Sequence, residues 1–187
     1  VEIKPLRLEG SCEITLKWIE DERGYFLRVY DENVPAGLGI DTAAWNDSVS
    51  FNKKRHTVRG LHFQLPPFEE QKIVRVSRGA IWDVIVDLRR GSVTYGQWEG
   101  YELSEENNKC LYIPGGFAHG FCTLTDDAIV NYKIDARYDP GSASGIRWDD
   151  PSLGITWPTD NPTISERDTQ LGSFADFVSP FSNLTKQ

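Results

Sequence analysis

Long apolar runs are missing from this sequence. No stretch of its 187 residues approaches the roughly 18 apolar positions of a membrane-spanning helix, so that class, and a membrane partner, are not expected. Methionine is absent, and no function attaches to its absence. Cysteine is scarce. Cys12, Cys110 and Cys122 are odd in number and form no C-x-x-C pair, which argues against a disulfide framework and a structural zinc site. Cys110 and Cys122 lie in apolar, strand-like runs and read as small core residues, which fits a reducing, cytoplasmic compartment. The start, Val1-Glu2-Ile3-Lys4-Pro5, lacks the basic-then-apolar pattern of a secretory leader. Positive charge is also short. Lys and Arg total 20 against 28 Asp and Glu, and the net charge of −8 argues against nucleic acid as the main partner.

What is present describes a globular chain. A hydrophobic content of 39% with 26% charged residues excludes disorder. The length suits a single domain, residues 1–187, that buries its own core. The basic residues are not evenly spread. Residues 51–78 hold seven (Lys53, Lys54, Arg55, Arg59, Lys72, Arg75 and Arg78) against Glu69 and Glu70. Such an island suits a small anionic ligand better than a polyanion; a solvated, charge-mixed face is the competing reading.

The pattern is mostly β. Ile73–Val76, Ala80–Leu88, Gln97–Leu103, Lys109–Ile113, Phe121–Leu124 and Ala128–Ile134 are short, apolar and punctuated by Gly, Pro, Asn and Asp, as in a sandwich or barrel. Ser104–Asn108 is the best helix candidate, a single turn. Trp82, Val84, Val86 and Leu88 share one strand face, and Asp83, Ile85 and Asp87 share the other. Two carboxylates inside so apolar a run point to a polar pocket within the barrel, the alternative being a wet face. From Gly141 the composition changes. Residues 141–175 are expected to form turns and a few helical residues packed on a core of about residues 15–140. Residues 176–187 are expected to be a poorly ordered tail.

Three histidines exist, His56, His62 and His119. Pro114-Gly115-Gly116-Phe117-Ala118-His119 resembles the second cupin motif, P-x-G-x-x-H. The first cupin motif is broken: Gln64 stands where its second histidine belongs, and Lys72 where a carboxylate would follow. A protonated lysine repels a divalent cation, so no metal site is expected.

Those replacements sit in a longer ordered series. Asp21-Glu22-Arg23-Gly24-Tyr25-Phe26 is followed by Arg59-Gly60-Leu61-His62-Phe63-Gln64, Gln71-Lys72-Ile73-Val74-Arg75-Val76, Asp83–Arg89, Ile113–Phe121 and Asn131-Tyr132-Lys133. Gly145–Pro151, Trp157-Pro158 and Ile164-Ser165-Glu166-Arg167-Asp168 complete it. Over about residues 15–170 the chain closely resembles the dTDP-4-dehydrorhamnose 3,5-epimerase family.

The resemblance implies an all-β, metal-free and cofactor-free cupin-type jelly roll, usually a homodimer, acting on a nucleotide-linked 4-keto-6-deoxyhexose. The implied reaction inverts C3 and C5 beside the ketone. By resemblance His62 is the base, Asp168 orients it, Lys72 stabilises the enolate oxygen and Tyr132 is the acid. Base chemistry at a carbon alpha to a carbonyl suits histidine on independent grounds, since its pKa lies near neutrality. Tyr138 matches a position that stacks on the nucleotide base, and Arg59 and Arg23 match positions that bind the sugar–phosphate part. His119 and Asp83 match further pocket positions, and Gln64 joins the substrate-binding set.

The departures fall on the recognition side. Gly24-Tyr25-Phe26-Leu27-Arg28 carries Arg28 where family members commonly have an acid. Asn46 and Ser48 stand where many carry Gln and Asn. Ser50–Arg55 resembles one branch of the family. Reaction type is therefore the firmer expectation and substrate identity the looser one. Single-centre epimerisation, ketoisomerisation and a non-catalytic sugar-binding module are the alternatives. The strand near Tyr25–Tyr30 is the expected dimer contact, because open sheet edges need cover.

Overall fold

Alternating apolar and polar residues favour extended backbone, because successive side chains leave a strand on opposite faces. A computed structural model describes residues 1–30 and 45–182. Its strands are β1 (Glu2–Pro5), β2 (Cys12–Thr15), β3 (Trp18–Asp21), β4 (Gly24–Leu27), β5 (Asn46–Asn52), β6 (Val58–Gln64), β7 (Lys72–Arg78), β8 (Ala80–Asp87), β9 (Trp98–Ser104), β10 (Lys109–Ile113), β11 (Phe117–Thr123), β12 (Ala128–Ile134) and β13 (Ala143–Gly145). One short helix follows, α1 (Glu166–Thr169). None of the described helices is long and apolar enough to cross a membrane.

The strands form two antiparallel main sheets. One has the order β1-β2-β10-β7-β12-β5 and the other β13-β6-β11-β8-β9, while β3 and β4 pair only with each other. Val74, Val76, Leu111, Ile113 and Val130 from the first sheet meet Ile81, Ile85, Leu103, Phe117 and Phe121 from the second in one buried cluster. This is an all-β jelly roll, as expected.

The two faces of β8 separate as the sequence predicts. Ile81 and Ile85 point between the sheets, with Asp83 and Asp87 on the same parity. Both aspartates are fully buried, which excludes the wet-face reading. Asp87 is held by Arg89, Ser92 and Thr94. Burial opposes its ionisation, but those hydrogen bonds more than offset it and lower its pKa.

Val84, Val86 and Leu88 face the other way and pack with Leu61, Phe63, Leu153 and Phe181. The C-terminal segment thus covers the outside of the five-stranded sheet. The expected tail is corrected here: Phe181 is 2% exposed and Phe177 packs beside it, because this outer face is apolar and needs cover. Residues 183–187 lie outside the described residues.

Two further corrections concern elements. Ser104–Asn108 is a turn rather than a helix. The Asn107 side chain accepts from the amides of Ser104 and Lys109, and Asn108 takes a left-handed φ of 53°. The strand expected to start at Phe121 starts at Phe117 and runs through Gly120, because close approach to β6 requires glycine there. The cysteines are buried, and burial pushes the thiols of Cys12 and Cys122 up to about 11 and that of Cys110 up to about 12.

Candidate active site

The site is built where β6 and β11 face β12, β7 and β5. Its key local feature is a bulge. Arg59 pairs with Phe121 and His62 with His119, so Gly60 and Leu61 on β6 stand opposite the single Gly120 on β11. The extra residue turns both Arg59 and His62 to the inner face, which residues three apart on a regular strand cannot share. Gly60 makes the bulge possible. Its φ is +112°, and a Cβ there would sit 2.6 Å from Gly120 Cα and 2.7 Å from the His119 carbonyl oxygen.

His62 Nε2 lies 2.7 Å from Asp168 Oδ1. The second carboxylate oxygen accepts from the Gly60 amide at 3.1 Å. Asp168 is presented by α1, whose N-cap Ser165 accepts from the Asp168 amide at 3.1 Å. The Asp168 side chain is 5% exposed and that of His62 37%, so the ring stays partly accessible while its partner is dry. Burial pushes the Asp168 pKa up, but hydrogen bonding and charge from His62, with Gly60 and Ser165, outweigh it and bring the pKa below the carboxylate range.

His119 is the cross-strand neighbour of His62 and is 5% exposed. Its Nε2 lies 2.9 and 3.1 Å from the two oxygens of Asp83. Its ring meets Tyr132 edge-on, with centroids 6.3 Å apart, which joins the two sheets. Tyr132 shares the inner face of β12 with Val130. Burial, aided by the Asp83 charge, raises the pKa of its phenol; a Ser50 hydrogen bond and the Arg59 charge oppose that rise. Lys72 opens β7 in register with Ile134 of β12. Its Nζ lies 2.7 Å from Glu70 Oε1, with the two side chains 9% and 13% exposed.

The expected recognition residues divide. Arg59 reaches the site, its Nε donating to Asn52 Oδ1 at 2.7 Å. Ser48 stands opposite Tyr132 on β5. Asn46 donates to the carbonyls of Ile134 and Ala136 at the end of the same pairing. Tyr138 is 66% exposed. Gln64 is a correction: it is 2% exposed, donates to the carbonyls of Phe68 and Arg137, and accepts from the Asp139 amide. Those backbone bonds occupy its amide, so it braces the loop carrying Tyr138 rather than facing a ligand. Arg23 lies on the β3–β4 hairpin, which joins neither main sheet, and is bound to Asp21 with its side chain 84% exposed. Arg28 follows that hairpin and is exposed.

Three residues of the site escape a reading of the sequence: Ser50, Asn52 and Glu70. A signal exists for the first two. Asn46, Ser48, Ser50 and Asn52 are polar at every second position, while Val49 and Phe51 between them are exposed. That inverted alternation marks a strand whose inner face lines a polar site. Glu70 carries no signal beyond its charge.

Known proteins resemble this chain over most of its length. The profile of the dTDP-4-dehydrorhamnose 3,5-epimerase family matches residues 5–176. A dTDP-4-dehydrorhamnose 3,5-epimerase from Methanothermobacter thermautotrophicus is 46% identical over 164 residues, covering 86% of this chain and 88% of that one. A dTDP-4-dehydrorhamnose 3-epimerase from Streptomyces niveus is 43% identical over 169 residues, covering 89% and 80%. The crystal structure of dTDP-4-dehydrorhamnose 3,5-epimerase from Bacillus anthracis, with TDP and PPi bound, superposes with a TM-score of 0.89 at 40% identity, covering 92% of this chain and 98% of that one. The shared architecture is the cupin-type jelly roll. With a family match across nearly its whole length, the chain belongs to the dTDP-4-dehydrorhamnose 3,5-epimerase family.

Proposed function

We propose that this protein epimerises a dTDP-linked 4-keto-6-deoxyhexose at C3 and C5, with no metal or cofactor. The observation that carries the reading is that His62, held by Asp168, is the cross-strand neighbour of His119, whose ring meets Tyr132 of the other sheet. Asp168 holds one ring nitrogen of His62, which leaves the other to take a proton from the carbon beside the ketone. The electron pair moves into the C4 carbonyl and forms an enolate. Lys72 carries three donors, of which one meets Glu70, so others are left for the enolate oxygen. Tyr132 returns a proton to the same carbon from the opposite face. Solvent exchange then resets base and acid, and the sugar is isomerised without oxidation or reduction. Arg59 takes the diphosphate, and His119 with Asp83 supports the pocket wall between base and acid. A sugar-binding module has no use for a base and an acid facing one another.

The reading is tested by proton exchange. In deuterated water with dTDP-4-keto-6-deoxyglucose, NMR should show loss of both the C3 and C5 proton signals. No exchange at either carbon would remove the proposal. A second reading, inversion at C3 alone, draws on the S. niveus relative, a 3-epimerase at 43% identity; exchange confined to C3 would select it.

The functional unit in this reading is a homodimer in a reducing, cytoplasmic setting. Support comes from Ile19, Tyr25 and Phe26 on the hairpin and from Val49 and Phe51 on edge strand β5, all largely exposed apolar residues. A hollow of about 430 Å³ lies on the same outer face, lined by Ile14, Ile73, Cys110 and Val49 among others. Sedimentation should give twice the chain mass at micromolar concentration, and a monomer would refute the assembly.

A further inference from the structure

Asn52 ends β5 and is 2% exposed. Every polar atom of its side chain is engaged. Nδ2 donates to the carbonyls of Ala128 at 3.2 Å and Ser50 at 3.3 Å. Oδ1 accepts from Arg59 Nε at 2.7 Å and from the Ser50 hydroxyl at 3.3 Å. The Arg59 guanidinium is further steadied by the Phe51 carbonyl at 3.4 Å. One buried oxygen thus meets both the arginine and the serine.

We infer that Asn52 is a positioning residue that couples the grip of Arg59 on the nucleotide diphosphate to the setting of Tyr132 through Ser50. The inference rests on the epimerase reading, in which Arg59 binds that diphosphate and Tyr132 is the acid. Arg59 is otherwise an exposed, flexible side chain, and fixing Nε before the ligand arrives removes ordering cost from binding. Ser50 lies on the inner face of β5, one alternate position from Ser48, the residue paired with Tyr132. The Arg59 charge favours the ionised phenol and so helps Tyr132 give up its proton, while Ser50, whose one proton goes to Asn52, lies diagonal to Tyr132 across the β5–β12 pairing. A purely structural asparagine would need only the bond to Ala128 that pins β5 to β12.

A double-mutant cycle separates these roles, with dTDP affinity read by calorimetry and turnover by proton exchange. Asn52→Ala should weaken dTDP binding about tenfold, the scale of a hydrogen bond to a charged group. Arg59→Lys keeps the charge, loses the Nε donor, and lies on the surface where folding is not at stake; it should cost a similar factor. The double variant should be no weaker than Arg59→Lys alone. Ser50→Ala should leave dTDP affinity within about twofold and slow exchange about tenfold. Additive losses, or an Asn52→Ala variant that lowers only the melting temperature, would overturn the inference and leave the epimerase reading standing. If Arg59→Ala leaves dTDP affinity unchanged, the diphosphate assignment itself fails, and the coupling with it.

Discussion

His62 and Asp168 are 106 positions apart in the chain, yet His62 Nε2 and Asp168 Oδ1 lie 2.7 Å apart. The same carboxylate binds the Gly60 amide, so one side chain aligns the histidine and anchors the bulge that turns it inward. Orientation of the base and shape of the strand therefore depend on one residue.

Asp168→Asn should lower the exchange rate by about 10²–10⁴-fold, by favouring the wrong tautomer and removing the charge that stabilises the imidazolium. The folded pKa of Asp168 lies below its ordinary value of 3.8. Its contribution to stability is therefore complete above that pH and is lost as pH falls through the lower folded value. Thermal unfolding followed from pH 6 down to pH 2 should show a loss in the wild type that is smaller in Asp168→Asn.

His62→Ala and Tyr132→Phe should each cost about 10²–10⁴ in rate, the usual scale of a general base or acid. Ligand affinity should change little, because neither role is exercised in binding. Equal losses of affinity and rate would count against both assignments.

Glu70→Gln should destabilise the fold by about 3 kcal/mol, because it leaves the mostly buried Lys72 ammonium without its counter-charge. The Lys72→Met/Glu70→Gln double variant should recover most of that loss in urea unfolding while remaining unable to catalyse exchange. Simple additivity would mean that the pair is not coupled.

Gly60→Ala should destabilise by about 3 kcal/mol, since its φ is unfavourable for an L side chain and the backbone of Gly120 cannot withdraw. Chemical denaturation measures the loss, and the exchange assay should show inactivity from the displaced His62.

Phe181→Ala should cost about 3–5 kcal/mol in the same unfolding assay, the usual range for emptying a buried phenylalanine site. An unchanged stability would restore the expectation of a loose tail from residue 176.

Much of the fold is legible in the sequence. Apolar runs with period-two alternation mark β7, β8, β10 and β12 nearly to the residue, since their inner faces meet the buried core. The ordered motifs around His62, Lys72, Tyr132 and Asp168 carry the family resemblance and the candidate site. Strands β5 and β6 escape because they spend their inner faces on Asn46, Ser48, Ser50, Arg59, His62 and Gln64, where the hydrophobic signal is weakest. A polar residue such as Gln64, beside the proposed base, looks the same in sequence whether it faces ligand or backbone.

Short windows of sequence are enough to specify the β class and the apolar run that holds the carboxylates of β8, and to suggest the candidate reacting groups, because alternation, composition and local motifs are all carried at close range. Which groups meet is settled by the fold: Asp168 on His62, Asn52 on Arg59, Glu70 on Lys72, and Phe181 over the outer sheet. The first and last of these contacts form across the fold, at separations that no local pattern records; the other two join residues near in sequence, and strand shape decides that they meet.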